Sequence, residues 1–368
     1  MKNKTIVHND IAVSPHVDGV SKFFIQIIKS TEPVSVADFM SMVLTHEEYG
    51  YYVNKKALGH DADFITAPHI SQMFAEILAV FCVYSWELIG AVENVALVDL
   101  GSGGGALLRQ LIKCIKAHSH NAYKALDILP VDINKMPLLL DGGSIVPIDL
   151  HSLPEKPSII IANEFFDALP IYQLLLTGNG WREVAIMINQ DKLCFTLVDP
   201  KPSILPYLSD VGNVPIDSII EISPMSWSVM SYLATHVARY SGILIVIDYG
   251  YTKKRTVSSL HGVCKHKSVS ILETPGEIDV SAYVDFNMLR KACREHNIYC
   301  QVFTQGNFLK SLGIMERLSN LCTDVSKEVA ENLYNGVQTL VSSEHMGELF
   351  KVMLVSSFPL DLSCCPLN

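Results

Sequence analysis

The chain has 368 residues, 49% hydrophobic and 18% charged, a balance that builds buried cores and excludes a disordered chain. Its net charge of −10 and pI of about 5.7 exclude a general nucleic-acid surface, which needs clustered Lys and Arg. Its longest apolar stretch, Ile77 to Val92, carries Glu87 and is too short for a membrane span. The nine cysteines include no Cys-x-x-Cys, which excludes a metal knot and fits reduced thiols. Met1 to Asp10 carries neither a signal-peptide apolar core nor an Arg-rich transit pattern, so the expected location is cytoplasmic.

Residues 1–80 read as a helical segment with a loop, an N-terminal lid. Ser35 stands as an N-cap before Val36 to Leu44, which has an apolar face. Gly50-Tyr51-Tyr52 and a loop around Gly59 to Pro68 follow, and a strongly apolar helix starts at Gln72. From Val95 onward strands alternate with helices. Val95 to Val98 is an apolar run that ends in Asp99 and breaks into Gly101, Gly103, Gly104 and Gly105, and Ala106 to Ile112 reads as a helix. Strands are predicted at Tyr123 to Ile128, ending near Asp127, and at Ser144 to Leu150, carrying Asp149. Ser158 to Ala162 has the β-branched run of a fully buried parallel strand. A helix from Pro224 to Tyr240 precedes a strand from Gly242 to Asp248. Asp285 to His296 is a predicted helix, and Ile298 to Phe303 and Lys351 to Ser356 are the last strands. This alternation implies an α/β fold, a right-handed, doubly wound, mostly parallel sheet. The core is therefore expected over 81–368. Two stretches interrupt it, at about 171–217, with a hairpin around Asn189-Gln190-Asp191, and at about 251–284, which is loop-rich; both are expected to cover a substrate.

Strand, glycine turn and helix hold nucleotide-like ligands at the carboxyl edge of a parallel sheet. Glycine lets the backbone turn sharply and the ligand approach without a Cβ in the way. Gly101-x-Gly103-x-x-Ala106 also fits the dinucleotide fingerprint, which keeps a dinucleotide-dependent oxidoreductase as an alternative. Asp99, two residues before Gly101, favours the acidic loop of S-adenosylmethionine (SAM) methyltransferases, where a carboxylate reaches the ligand's ammonium group. Asp127 is expected to accept the ribose hydroxyls, or else to be a solvated loop residue. Asp149 is a candidate for the adenine amine. Asn163-Glu164-Phe165-Phe166-Asp167 follows the most buried strand, which sets Asn163 and Glu164 at the ligand edge. A helical turn there would put Glu164 and Asp167 on one face, although Asp167 could also cap a helix. Thr66-Ala67-Pro68 reads as helix-entry chemistry. No His/Asp/Glu cluster has metal-ligand spacing, so no metal is expected.

Further blocks occur in order: Tyr49-Gly50-Tyr51-Tyr52, Asp63-Phe64-Ile65-Thr66-Ala67-Pro68, Ser71-Gln72-Met73-Phe74, Asn163-Glu164-Phe165-Phe166-Asp167-Ala168-Leu169-Pro170, Asp248-Tyr249-Gly250 and Val284-Asp285-Phe286. Together they resemble the MidA family of SAM-dependent methyltransferases, over about residues 20–355. The resemblance implies a class I methyltransferase fold with a Rossmann-like, seven-stranded-type sheet and S-adenosyl-L-methionine as cofactor. For the family's mitochondrial members it implies arginine methylation of a respiratory complex I subunit. The chain departs from the family pattern at His261, where Arg is usual.

The expected function is methyl transfer to a protein arginine, with Glu164 and Asp167 as the catalytic acids. Asp99, Gly101, Gly103, Gly105, Asp127, Asp149, Asn163 and Thr66 are the expected cofactor-binding residues. The expected partners are a protein substrate and a second copy of the chain in a homodimer. A SAM-binding assembly factor without turnover is the other alternative.

Overall fold

In the computed structural model, which describes residues 19–31, 33–53, 67–140, 143–296 and 298–360, the apolar runs become the central strands of one sheet. β1 (Val95–Leu100), β2 (Leu126–Val131), β3 (Ser158–Asn163) and β4 (Gly242–Tyr251) run parallel to one another. β5 (Val284–Asp285) pairs with the far end of β4, while β6 (Tyr299–Thr304) and β7 (Phe350–Ser356) complete the sheet. The order is β6-β7-β4-β3-β1-β2, and β7 alone on that path runs against its neighbours. Ile159, Ile160 and Ile161 of β3 are wholly buried, as are Ile243 to Ile247 of β4. Each such side chain contributes about 1.5–3 kcal/mol on leaving water, which explains why these runs occupy the middle of the sheet. The helices of this unit include α1 (Gln72–Leu88), α2 (Ala106–His118) and α3 (His120–Ala125). Ser71 caps α1 by accepting the Met73 N–H. No helix among the described residues is long and apolar enough to cross a membrane.

Two predicted strands differ. Residues expected to begin a strand at Tyr123 belong instead to α3, because Ser119 accepts the Ala122 N–H at 3.2 Å and starts a helix. The strand therefore begins at Leu126 and runs through Pro130 to Val131. Proline is tolerated because its carbonyl points outward to the Ile148 N–H at 2.9 Å, so the N–H it lacks faces away from β1. The strand expected at Ser144 to Leu150 is reduced to one parallel bridge, Val131 to Ile148. Gly143–Ile145 pairs back on Leu138–Leu140 as a small hairpin.

The described residues fall into two units. The sheet unit takes those of Ile65–Asp167, Trp227–Thr252 and Val284–Asn368, so among the described residues the sheet unit already begins at Ala67, before residue 80. The other unit takes those of Met1–Phe64, Ala168–Ser226 and Lys253–Tyr283, joining the N-terminal segment to both insertions. Its sheet is antiparallel, with Val34–Ser35, Gly180–Asn189, Tyr172–Thr177 and Ile219–Ile222 in that order and Lys192–Val198 paired to Gly180–Asn189. The expected hairpin is thus present. Helices Gly19–Thr31 and Val36–Thr45 bury Phe24, Ile28, Phe39 and Met40 in its core, and Ser35 caps the second of them as predicted.

Candidate functional site

Register decides which residues meet at the carboxyl edge of the parallel strands. Leu100 pairs with Val131 and with Ala162, and Asn163 pairs with Ile247. The residues just past these pairs are Gly101, Asp132, Asn163 and Asp248, so four strand tips bring four polar or turn residues to one edge.

The glycine loop is built for close approach. Gly101, Gly103 and Gly105 have φ of +70°, +50° and +71°, a left-handed backbone that costs other residues energy. The Gly101 N–H donates to the Val131 carbonyl at 2.8 Å and the Gly103 N–H to Asp132 Oδ2 at 2.8 Å. Gly105 starts α2 with no side-chain cap, which leaves the positive helix end for an anion. The buried Ser102 Oγ has no hydrogen-bond partner among the described residues.

Asp99 is buried next to the end of β1. Burial, with the charge of Asp132 second, pushes its carboxyl up to about 7. Asp132 is the acid at the tip of β2. Its Oδ1 accepts the Asn134 N–H at 2.8 Å, and burial raises its carboxyl against the bonds it receives from the backbone. Sequence reasoning missed Asp132 and chose Asp127. Asp127 does not reach this edge: it is the second residue of β2, opposite Ala96 at the far end of the strand, and binds Lys156 Nζ at 2.6 Å. The acid after Pro130-Val131 was the signal. Asp149 does follow the bridged Ile148, but as an exposed partner of Lys135 Nζ at 2.7 Å and not at the end of a regular strand. Thr66 lies outside the described residues.

Asn163 and Glu164 leave β3 at the same edge. The Asn163 Nδ2 donates to Glu164 Oε1 at 3.2 Å, and the buried Asn163 Oδ1 has no partner among the described residues. The Glu164 N–H extends the ladder to the Ile247 carbonyl at 2.8 Å, and its φ is then +51°. A glutamate held in that region is strained, and such strain clusters at functional sites. No helical turn forms over Glu164 to Asp167: residues 164–169 form bends and a turn. The turn instead wraps over Asp248, whose Oδ2 accepts the Phe166 and Asp167 N–H groups at 3.0 and 3.2 Å. Asp167 is buried and accepts the Tyr249 hydroxyl through its own Oδ2. Glu164 is the more exposed acid of the two. Asp248 is wholly buried, and burial with the charges of Asp167 and Glu164 raises its carboxyl well above the ordinary range. Asp248 and Tyr249 stood in the sequence at the end of an apolar run, but only pairing with β3 shows what they hold.

This donor set fits the bound form of SAM. Asp99 suits an ammonium group, the uncapped first turn of α2 suits a carboxylate, and Asp132 suits a ribose diol. Glycine is required at Gly105, since φ is +71° and a Cβ would meet Arg109 Nη1 and Leu138 Cδ1, each at 3.2 Å.

Residues 77–304 match a family described as "Putative S-adenosyl-L-methionine-dependent methyltransferase". The chain is 34% identical over 357 residues to a human protein named protein arginine methyltransferase NDUFAF7, mitochondrial, covering 88% of this chain and 80% of that one. Its counterpart in Xenopus tropicalis is 32% identical, covering 96% and 88%. Two solved structures from Burkholderia thailandensis share the fold. One has a TM-score of 0.77 at 21% identity, covering 96% of this chain and 97% of that one. The other was solved with S-adenosyl-homocysteine and has a TM-score of 0.74 at 20% identity, covering 95% of each chain.

Proposed function

The chain belongs to this family of S-adenosyl-L-methionine-dependent methyltransferases, and on that premise we propose that it methylates an arginine side chain of a protein. The cofactor supplies, when bound, an electrophilic methyl group on a sulfonium sulfur. Asp99, the Gly101 to Gly105 loop, Asp132 and Asn163 would hold it.

The observation that carries the arginine reading is the run of acids at the tips of β3 and β4. Burial, then the charges of Asp167 and Glu164, raise the carboxyl of Asp248, so three acids crowd this edge. A guanidinium offsets such a concentration of negative charge. It is planar and carries five donors that match carboxylates in pairs. Arginine is a weak nucleophile because its charge is delocalised. A carboxylate bonded to one nitrogen draws the positive charge toward itself and leaves another nitrogen better able to attack. Alignment of that nitrogen then supplies much of the rate. Glu164, half-buried and strained, is our candidate for this contact, with Asp167 beside it.

The relatives named as arginine methyltransferases support a protein substrate. A respiratory complex I subunit is the target we propose first, and a homodimer, checked by light scattering of the purified chain, the assembly. The test is methyl transfer from S-adenosyl-L-methionine to peptides that differ only in carrying arginine or lysine, read by mass spectrometry. Methylation of the arginine peptide alone is the expected result. Equal transfer to lysine, or transfer only to a small neutral acceptor, overturns the arginine reading.

A further inference from the structure

We propose that Asp248 is a positioning residue of the methyl-transfer site: it sets the path of the Glu164 to Asp167 turn from the neighbouring strand and so aims both acids. The inference rests on the arginine reading for its activity arm and on geometry alone for its other arm.

The turn has two anchors on β4. The Glu164 N–H bonds the Ile247 carbonyl at 2.8 Å, which carries the parallel ladder one step beyond Asn163. The chain then swings through φ +51° at Glu164. The next two N–H groups with a partner on β4, those of Phe166 and Asp167, reach back to a single atom, Asp248 Oδ2, at 3.0 and 3.2 Å. One side chain thus closes the turn beyond its last ladder bond. The adjacent residue completes the hold, since the Tyr249 hydroxyl donates to Asp167 Oδ2. Successive residues of β4 therefore grip the backbone and the side chain of the same turn.

Packing alone would not select an acid here. Asp248 is wholly buried, and its Oδ1 has no hydrogen-bond partner among the described residues. Departures of this kind are expected where function needs a fixed shape. Burial and two neighbouring carboxylates favour the neutral acid. A neutral acid still accepts both N–H bonds through Oδ2 while adding no charge beside Glu164 and Asp167. The requirement is thus for an acceptor oxygen of this reach, and asparagine can supply one.

The experiment compares Asp248→Ser, which shortens the acceptor, with Asp248→Asn, which keeps it. In Asp248→Ser, kcat for an arginine peptide should fall about 100-fold, with S-adenosyl-L-methionine affinity within about three-fold of wild type. Asp248→Asn should recover activity to within about ten-fold of wild type. Hydrogen exchange across residues 163–170 should speed up in Asp248→Ser and stay slow in Asp248→Asn, whatever the acceptor proves to be. A wild type that spares arginine ends the arginine reading, and the exchange arm then decides this inference by itself. Exchange in Asp248→Ser equal to wild type overturns it. So does an Asp248→Asn enzyme as inactive as Asp248→Ser, since the acid's proton or charge, and not its acceptor, would then be what matters. If Asp248→Ser does not fold, as judged by its thermal transition, Asp248→Asn carries the test in both readouts.

Discussion

Phe165 lies so close to Gly101 that a Cβ on the glycine would meet the ring Cδ2 at 3.1 Å. The glycine loop after β1 and the acid-bearing turn after β3 are therefore fitted to each other, and a change in one is felt in the other. The φ of +70° at Gly101 adds a second reason for glycine there.

Gly101→Ala should therefore act on two quantities at once. The left-handed backbone alone costs a non-glycine residue about 1–2 kcal/mol, and Phe165 must also give way. The melting temperature should drop by a few degrees, and S-adenosyl-L-methionine affinity should fall by about ten-fold or more in titration calorimetry. Gly178→Ala is the control, because it lies outside the loop and nothing stands within 4 Å of its Cβ position. If both variants bind like wild type, the loop is not the cofactor cradle.

The pH dependence of cofactor binding follows from Asp99. Its carboxyl titrates near 7 in the folded chain because it is buried, with the Asp132 charge second. A raised carboxyl stabilises the fold fully below the ordinary carboxylate range, and that contribution is lost as pH rises through about 7. Binding an ammonium group runs the opposite way, since it needs the ionised form. Affinity for S-adenosyl-L-methionine should rise by about ten-fold between pH 6 and pH 8, whereas the ligand-free protein should lose stability from the ordinary carboxylate range up to about pH 7 and level off above it. Asp99→Asn should flatten the part of both profiles that Asp99 contributes. An affinity that is level from pH 6 to 8 in wild type counts against Asp99 as the ammonium partner.

What the sequence made legible was local. Asp99 and the glycines, Asn163 and Glu164 at a strand tip, and the Ser35 cap are patterns within a few residues, and each stands where expected. The errors came from competing local signals and from distance. Ser119 starts a helix just where Tyr123 to Ile128 reads as a strand, and the strand itself runs on through Pro130 to Val131. The end of the strand therefore stands beside Asp132 and not beside Asp127. Asp248 was passed over because its partners, Phe166 and Asp167, are some eighty residues away in the chain. The pairing of Val34 with Ile186 had no local signal at all, so the N-terminal segment looked separate from the insertions it joins.

The two candidate acids of β2 can be set against each other. Asp132 holds the Gly103 N–H at 2.8 Å, whereas Asp127 makes a surface pair with Lys156, and surface pairs contribute little. Asp132→Ala should weaken S-adenosyl-L-methionine binding by about ten-fold or more. Asp127→Ala should leave it within about two-fold of wild type. The reverse ranking would return the ribose role to Asp127.

Glu164 gives the sharpest contrast between folding and chemistry. Its φ of +51° is a conformation that glycine adopts without penalty. Glu164→Gly should therefore leave the melting temperature unchanged or raise it, by an amount corresponding to about 0.5–1 kcal/mol. Glu164→Gln keeps the side chain's shape and its strain but removes the charge. Both variants should bind S-adenosyl-L-methionine within about three-fold of wild type, since the cofactor is assigned to Asp99, the glycine loop, Asp132 and Asn163. Both should transfer methyl groups to an arginine peptide about 100-fold more slowly, on the order of 3 kcal/mol of lost transition-state stabilisation. Single-turnover rates with saturating cofactor measure this directly. A residue kept only for the fold would show the opposite pattern, with stability lost and activity spared. Wild-type transfer by Glu164→Gln would mean that the carboxylate's charge does not hold the guanidinium, and the contact would then have to be sought at Asp167.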